Sequence, residues 1–207
     1  MSKKWICLLM ASILVCAPLA GCGTDKIEQE TPPTQSTAAQ EEPPPAEEKV
    51  LVVYFSATGN TDRAAGIIAE ATGGTLLQLE PKQPYTDADL DYLDEQSRVC
   101  REHDNPALRQ VELERTEVAD WDSISVVYLG YPIWWGEAAW PVESFVKAND
   151  FAGKTVIPFC TSASSGMGES GTQLAELAAA GDWREGKRFS SSASEEEILE
   201  WIQSLEF

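Results

Sequence analysis

Val50-Leu51-Val52-Val53-Tyr54-Phe55 runs directly into Ser56-Ala57-Thr58-Gly59-Asn60-Thr61, and then into an amphipathic segment from Asp62 to Thr72. The first six residues are apolar without a break, as in a strand covered on both faces. Beyond the turn, Ala64, Ala65, Ile67, Ile68 and Ala71 form a helical stripe, closed by Gly73-Gly74. Strand and helix are thus joined by hydroxyls, an amide and one glycine. A helix N-terminus offers unpaired N–H groups and a partial positive charge, so a turn of this composition is a phosphate cradle. Ser56, Thr58 and Thr61 add hydroxyl donors, and Gly59 permits close backbone approach or a positive φ. The turn holds no lysine or arginine, which excludes a nucleotide-hydrolysing P-loop, and it lacks the Gly-x-Gly-x-x-Gly spacing of dinucleotide folds. A neutral cradle suits one terminal phosphate monoester. The alternative is a hydroxyl-rich turn with no ligand.

The pattern repeats along the chain. Strands are expected at Thr75 to Leu79, Ile124 to Leu129, Thr155 to Phe159 and around Lys187 to Phe189. Helices are expected after Pro141, with Val142, Phe145 and Val146 on one face, and around Leu174, Leu177 and Ala178. Ser194 and Glu197 form a capping box before Ile198, Trp201, Ile202 and Leu205. Alternation of this kind predicts a three-layer α/β/α domain around a doubly wound, five-stranded parallel sheet. Residues 80 to 120 exceed a simple crossover. Thr86 to Asp89 are placed to cap a helix carrying Leu90, Leu93, Ser97 and Cys100, read as an elaboration that packs beside the site.

Ser56 to Thr61 matches Thr/Ser-x-Thr-Gly-x-Thr at every position, and in this it resembles the flavodoxin family. The resemblance covers about Lys49 to Phe207. It implies strand order 2-1-3-4-5, FMN as cofactor, and the FMN phosphate on Ser56, Thr58, Gly59, Asn60 and Thr61. In open sheets of this kind ligands bind at the carboxyl ends of the strands. The loop after the third strand, Gly130-Tyr131-Pro132-Ile133-Trp134-Trp135-Gly136, resembles one branch of the family in which it meets the isoalloxazine. Pro132, Ile133, Trp134, Trp135 and Gly136 are therefore expected at the ring. The alternative is that both tryptophans only plug the end of the sheet. By resemblance the loop after the fourth strand is the second ring loop, with Thr161, Ser162, Ser165 and Gly166 as contacts. It departs from electron-carrier flavodoxins in having no aromatic between Phe159 and Trp183. One ring face is thus expected to be open, unless Met167 covers it.

The chain begins differently. Lys3 and Lys4 precede an apolar run from Trp5 to Pro18, followed by Leu19-Ala20-Gly21-Cys22. That is a signal peptide, too short for an ordinary transmembrane helix, and its end resembles the lipobox of bacterial lipoproteins. Residues 1–21 are read as the signal, 22–48 as a lipidated cysteine with a disordered tether, and 49–207 as the folded domain. The tether is rich in Pro, Glu, Gln and Thr and has too little apolar surface to offset its ordering entropy. It reaches on the order of 30 Å. Several acyl chains on Cys22 would hold the protein stably to a bacterial membrane, at its extracytoplasmic face.

A formal charge of −19 and no basic stripe disfavour nucleic acid as a partner. Cys100 and Cys160 remain in the folded part, as two free thiols or as one disulfide. No Cys-x-x-Cys supports a metal site, and His103, the only histidine, lies in a polar segment. The reading that results is an FMN-binding protein that transfers electrons to a redox partner protein or a small quinone-like acceptor. An electron carrier is preferred to a stand-alone enzyme, because no nicotinamide-binding domain is fused to it. The alternatives are a flavin-dependent reductase of quinone-like substrates, a non-catalytic lipoprotein for another phosphorylated ligand, and a docking scaffold without flavin. Cys22→Ser is expected to leave unprocessed precursor and to abolish lipid labelling; normal labelling of that variant would contradict the reading of Leu19 to Cys22.

Overall fold

The computed structural model describes residues 48–205. The expected signal, Cys22, the expected tether up to residue 47 and the last two residues lie outside the described residues. Among the described residues no helix is long and apolar enough to cross a membrane.

Strand β1 (Val50–Tyr54) is followed by helix α1 (Asn60–Thr72), β2 (Thr75–Gln78) and the insertion, whose one α-helix is α2 (Arg98–Asp104). Next come β3 (Val126–Trp134), β4 (Glu137–Ala138), α3 (Trp140–Ala148) and β5 (Thr155–Ser162). The chain closes with α4 (Ser170–Ala178), β6 (Asp182–Trp183), β7 (Lys187–Ser190) and α5 (Glu195–Ser204). The sheet runs β2-β1-β3-β5, with β6 and β7 both beside β5, and every pair is parallel except β3–β4. The expected order is observed. Among the described residues the sheet has seven strands rather than five.

Alternation of side chains along each strand builds two cores. Leu51, Val53 and Phe55 join Val127, Leu129 and Tyr131 beneath α3 and α4, with Val142, Phe145 and Leu174. Val52 and Tyr54 join Val126, Tyr128, Ile157 and Phe159 on the other face, against Ala64, Ile68, Ile198 and Trp201 of α1 and α5. The Ser194 cap is present, its hydroxyl accepting from the Glu197 N–H at 3.1 Å.

The fifth position of the sheet is divided because of Pro158. Val156 accepts a hydrogen bond from the Arg184 N–H on this edge. Two residues on, Pro158 turns to the same edge and has no N–H to give. Its carbonyl and the Met167 thioether fill the gap at Gly186, where a Cβ would lie 2.5 Å from the one and 2.3 Å from the Met167 methyl. Met167 is therefore a packing residue turned toward Pro158 and Gly186.

Strand β3 does not stop at Gly130 but continues to Trp134, so most of the expected ring loop is strand. Gly130 stands beside Phe159 of β5, and a Cβ there would come within 2.2 Å of its ring. Phe159 fills the place that a side chain at position 130 would take.

The long helix expected in the insertion does not form. Thr86 and Asp89 bond one another, the Thr86 N–H donating to Asp89 Oδ2 at 2.9 Å and the Asp89 N–H to Thr86 Oγ1 at 3.2 Å. Asp91 and Asp94 then each accept from a backbone N–H two residues on. Such local bonds compete with helix propagation. Only after Ser97, which caps α2 through the Cys100 N–H, does a helix start. Cys100 and Cys160 are separate buried thiols, and burial pushes the Cys160 thiol up to about 12.

Lys154 ties the opposite end of the sheet together. Its buried ammonium donates to the carbonyls of Trp121 and Ile124 at 2.6 and 2.9 Å, and burial depresses its pKa.

Gly130→Ala is expected to cost roughly 1–3 kcal/mol by overpacking against Phe159. Phe159→Leu in the same chain should recover part of that loss in chemical denaturation, whereas additive losses would show that the two residues do not compete for one space.

Candidate functional site

The turn after β1 leaves the N-terminus of α1 open. Gly59 takes the N-cap position in the left-handed region, φ 83°, and no side chain caps the helix. The first backbone bond of the turn is from the Arg63 N–H to the Gly59 carbonyl at 3.0 Å. Ser56 shapes the turn from within, its hydroxyl accepting from the Gly59 N–H at 3.1 Å. Asn60 Nδ2 donates to Thr58 Oγ1 at 3.1 Å. Thr61 is turned inward, where its hydroxyl lies 2.8 Å from that of Thr161. The two expected loops are thus joined by a buried hydroxyl pair.

A cleft of about 380 Å³ opens from this turn. Thr58 and Asn60 line it, as do Pro132, Ile133, Trp134, Trp135, Thr161 and Ser162. Ser56, Gly59, Thr61, Gly136, Ser165 and Gly166 do not line it. Ser165 instead accepts the hydroxyl proton of Ser162, a bond that folds the second loop on itself. Among the described residues no charged side chain lines the cleft, although the chain carries a formal charge of −19. The volume falls within the range of small-molecule and cofactor sites.

The two indoles occupy different surroundings because the chain reverses between them. Ile133 and Trp134 of β3 pair with Ala138 and Glu137 of β4. Trp135 and Gly136 make the two-residue turn, both with positive φ, 49° and 84°. That is the geometry favoured in hairpins of this length, but a bulky side chain in it is strained. Trp134 is wedged edge-to-face among Phe55, Tyr85 and Trp140, with centroids 5.6, 5.1 and 5.6 Å away. Trp135 remains 43% exposed and stacks on His103 at 4.6 Å.

Sequence reasoning missed the contribution of the insertion. Leu90, Tyr92 and Val99 line the cleft, and Tyr92 is 72% exposed. The insertion is a wall of the site and not only packing beside it. Two arginines fix it there. Arg98 donates to the buried Glu102 at 2.7 Å and lies 3.9 Å over the Tyr85 ring, while the Tyr85 hydroxyl donates to the same carboxylate at 2.6 Å. Burial and Glu102 together hold the Tyr85 hydroxyl well above its ordinary range. Arg109 donates to the Glu102 and His103 carbonyls and to Glu137 of the hairpin, and covers Trp140 at 4.4 Å. Arg109 and Glu137 stand 28 residues apart, so the sequence gave no sign of their pairing.

The arrangement brings neutral donors and an open helix end into one cleft with apolar and aromatic walls. It fits a phosphate joined to a planar ring.

The sequence model of the flavodoxin family matches residues 49–205. A protein assigned as a flavoprotein from Bacteroides uniformis is 39% identical over 76% of this chain and 99% of its own, with a TM-score of 0.70. A second, from Bacteroides eggerthii, is 39% identical over 75% of this chain and 96% of its own, with a TM-score of 0.68. A flavoprotein from Lactobacillus acidophilus, crystallised in complex with FMN, shares the fold at 20% identity and a TM-score of 0.52, over 75% of this chain and 99% of its own. No curated protein matches the chain.

The hairpin geometry has a direct test. Trp135→Gly is expected to be more stable than Trp135→Ala by about 1 kcal/mol, since both lose the His103 stack and only glycine is free of the positive-φ penalty. Equal midpoints in urea would argue against the left-handed turn.

Proposed function

The chain belongs to the flavodoxin family, and on that premise we propose that it is an FMN-dependent redox protein held at the extracytoplasmic face of a bacterial membrane by lipid on Cys22. FMN is its cofactor. The observation that carries this reading is the uncapped N-terminus of α1, where Thr58 and Asn60 share a cleft with two indoles and, among the described residues, no charged side chain.

Each part has a physical role. The N–H groups of the first turn of α1 and the neutral side chains of Thr58 and Asn60 hold the phosphate, with no cation competing for it. Pro132 and Ile133 bring the ring against the end of β3, and Trp134 or Trp135 stacks on it. The wall at Thr161, Ser162 and Ala163 meets the polar edge of the ring. Ser165 and Gly166 reach that edge only through the loop they close. When bound, FMN supplies the electron chemistry, and the protein supplies position, electrostatics and exclusion of water. Among the walls, Trp134 is braced on three sides by aromatic rings, so stacking on it needs no rearrangement of the hairpin.

In this reading the protein passes electrons between a redox partner protein and an acceptor outside the cytoplasmic membrane. One observation favours a second reading, in which it reduces small quinone-like substrates. The insertion extends the cleft with Leu90, Tyr92 and Val99, leaving apolar surface beyond the ring for a flat acceptor. Oxidation of NAD(P)H by the purified protein in the presence of a quinone would favour the reductase. Electron uptake only from a reduced partner protein would favour the carrier.

Thr58→Ala is expected to weaken FMN by roughly 1.5–3 kcal/mol through loss of a bond to a charged phosphate, and to leave riboflavin, which has none, almost unchanged. Titrations followed by flavin fluorescence decide it, and equal weakening of both flavins would move the phosphate elsewhere. Fluorescence also identifies the stacked indole. Of the alanine variants at Trp134 and Trp135, the one that restores flavin emission marks the residue against the ring, and quenching unchanged in both would place the ring away from the hairpin.

A further inference from the structure

Behind the cleft wall lies a guanidinium that the cofactor reading does not use. Arg188 extends from β7 toward the end of β5. Its Nε donates to Ser162 Oγ at 3.0 Å, and its Nη2 donates to the carbonyls of Ser162 and Ala163 at 2.8 and 3.2 Å. Ser162 and Ala163 both line the cleft, and Arg188 does not. Among the described residues it is the one cation bonded to lining residues, and it has no acidic partner within ion-pair distance. A half-buried guanidinium with three bonds and no counter-charge is a fixed positive centre at a wall that is otherwise neutral.

Two consequences follow from elementary chemistry. In a trans peptide the carbonyl and the next N–H point in opposite directions. Pinning the Ala163 carbonyl to Arg188 therefore turns the Ser164 N–H away from the guanidinium. The second consequence is electrostatic. Two electrons and one proton added to a flavin ring leave it with one more negative charge than the oxidised ring. A positive charge bonded to the wall favours that product, and it is felt more strongly through protein than through bulk water.

We propose that Arg188 is a positioning residue that fixes the Ser162–Ala163 wall and raises the reduction potential of the bound flavin, opposing the acidic charge of the rest of the chain. This rests on the FMN reading above. Arg188 touches no reacting atom; it acts through the loop and through its field.

The test uses the full mature protein in detergent, loaded with FMN, as wild type, Arg188→Gln and Arg188→Lys. Each is titrated with dithionite against a reference dye. Glutamine keeps a donor for the loop carbonyls and removes the charge; lysine keeps the charge and loses the fork. Arg188→Gln should lower the reduced-to-oxidised ratio at a fixed poise roughly tenfold, which for the two-electron couple is a shift of about 30 mV to lower potential. Arg188→Lys should recover most of it. An unchanged potential in Arg188→Gln that still binds FMN, or the same shift in both variants, would overturn the role of the charge while leaving FMN binding intact. Failure of the wild type to take up FMN would instead refute the cofactor reading. If Arg188→Gln alone loses FMN, the potential of Arg188→Lys decides: near wild type supports the proposal, and far below it overturns it. Hydrogen exchange at Ala163 to Gly166 in the flavin-free proteins tests the loop separately. Faster exchange in both variants is expected, and wild-type exchange in both would remove the positioning role.

Discussion

The ladder between β3 and β5 is the constraint on which the site depends. It runs from Val126 beside Thr155 to Pro132 beside Thr161, past the point where either strand would end on apolar character alone. Parallel pairing keeps the two chains in step, so the hairpin and the second loop leave the sheet at the same level. Gly130 makes that possible, because the Phe159 ring occupies the space over its Cα. The first turn is brought to the same level by β1, which pairs with β3 from Val50–Val126 to Tyr54–Gly130. The Thr61–Thr161 hydroxyl pair then fastens the turn after β1 to the end of β5.

The hairpin shows how tertiary contacts override local preference. Asn-Gly is the usual sequence for two left-handed residues, and here tryptophan takes the first place. A non-glycine residue in that region costs roughly 1–2 kcal/mol. Opposing it are the stack on His103, the bracing of Trp134 and the Arg109–Glu137 ion pair, which holds one end of the turn. Strained backbone of this kind persists where surrounding contacts over-determine it, and it gathers at functional sites.

Most of the frame was legible in the sequence because it rests on local signals. Unbroken apolar runs gave the central strands, the stripe from Ala64 to Ala71 gave α1, and Ser194 with Glu197 gave the start of α5. Thr58, Asn60 and the Pro132–Trp135 run were expected together because each follows a strand, and they line one cleft. What escaped depends on partners distant in the chain. Arg109 and Glu137, Arg188 and Ser162, and His103 and Trp135 meet only after folding. The insertion misled for a different reason. Its helical spacing of Leu90, Leu93, Ser97 and Cys100 is real, but aspartates placed every few residues satisfy the backbone in turns first. Pro158 was visible, yet its effect required knowing that its missing N–H faces the outer edge.

That proline also bears on how the protein behaves in a crowd. A sheet edge with a long row of unpaired N–H and C=O groups is a template on which another chain can add a strand. At one edge the break at Pro158 leaves only β6 and β7, of two and four residues, out of line for a continuous partner. At the other edge β2 has four residues, and the segment beyond it is already engaged, Pro81 bridging to Leu113 of the insertion. Neither margin offers an incoming strand a run long enough to nucleate. The fold can therefore be packed at high density with little tendency to aggregate through its sheet, and encounters between copies are left to side chains, of which the charged ones are mostly acidic.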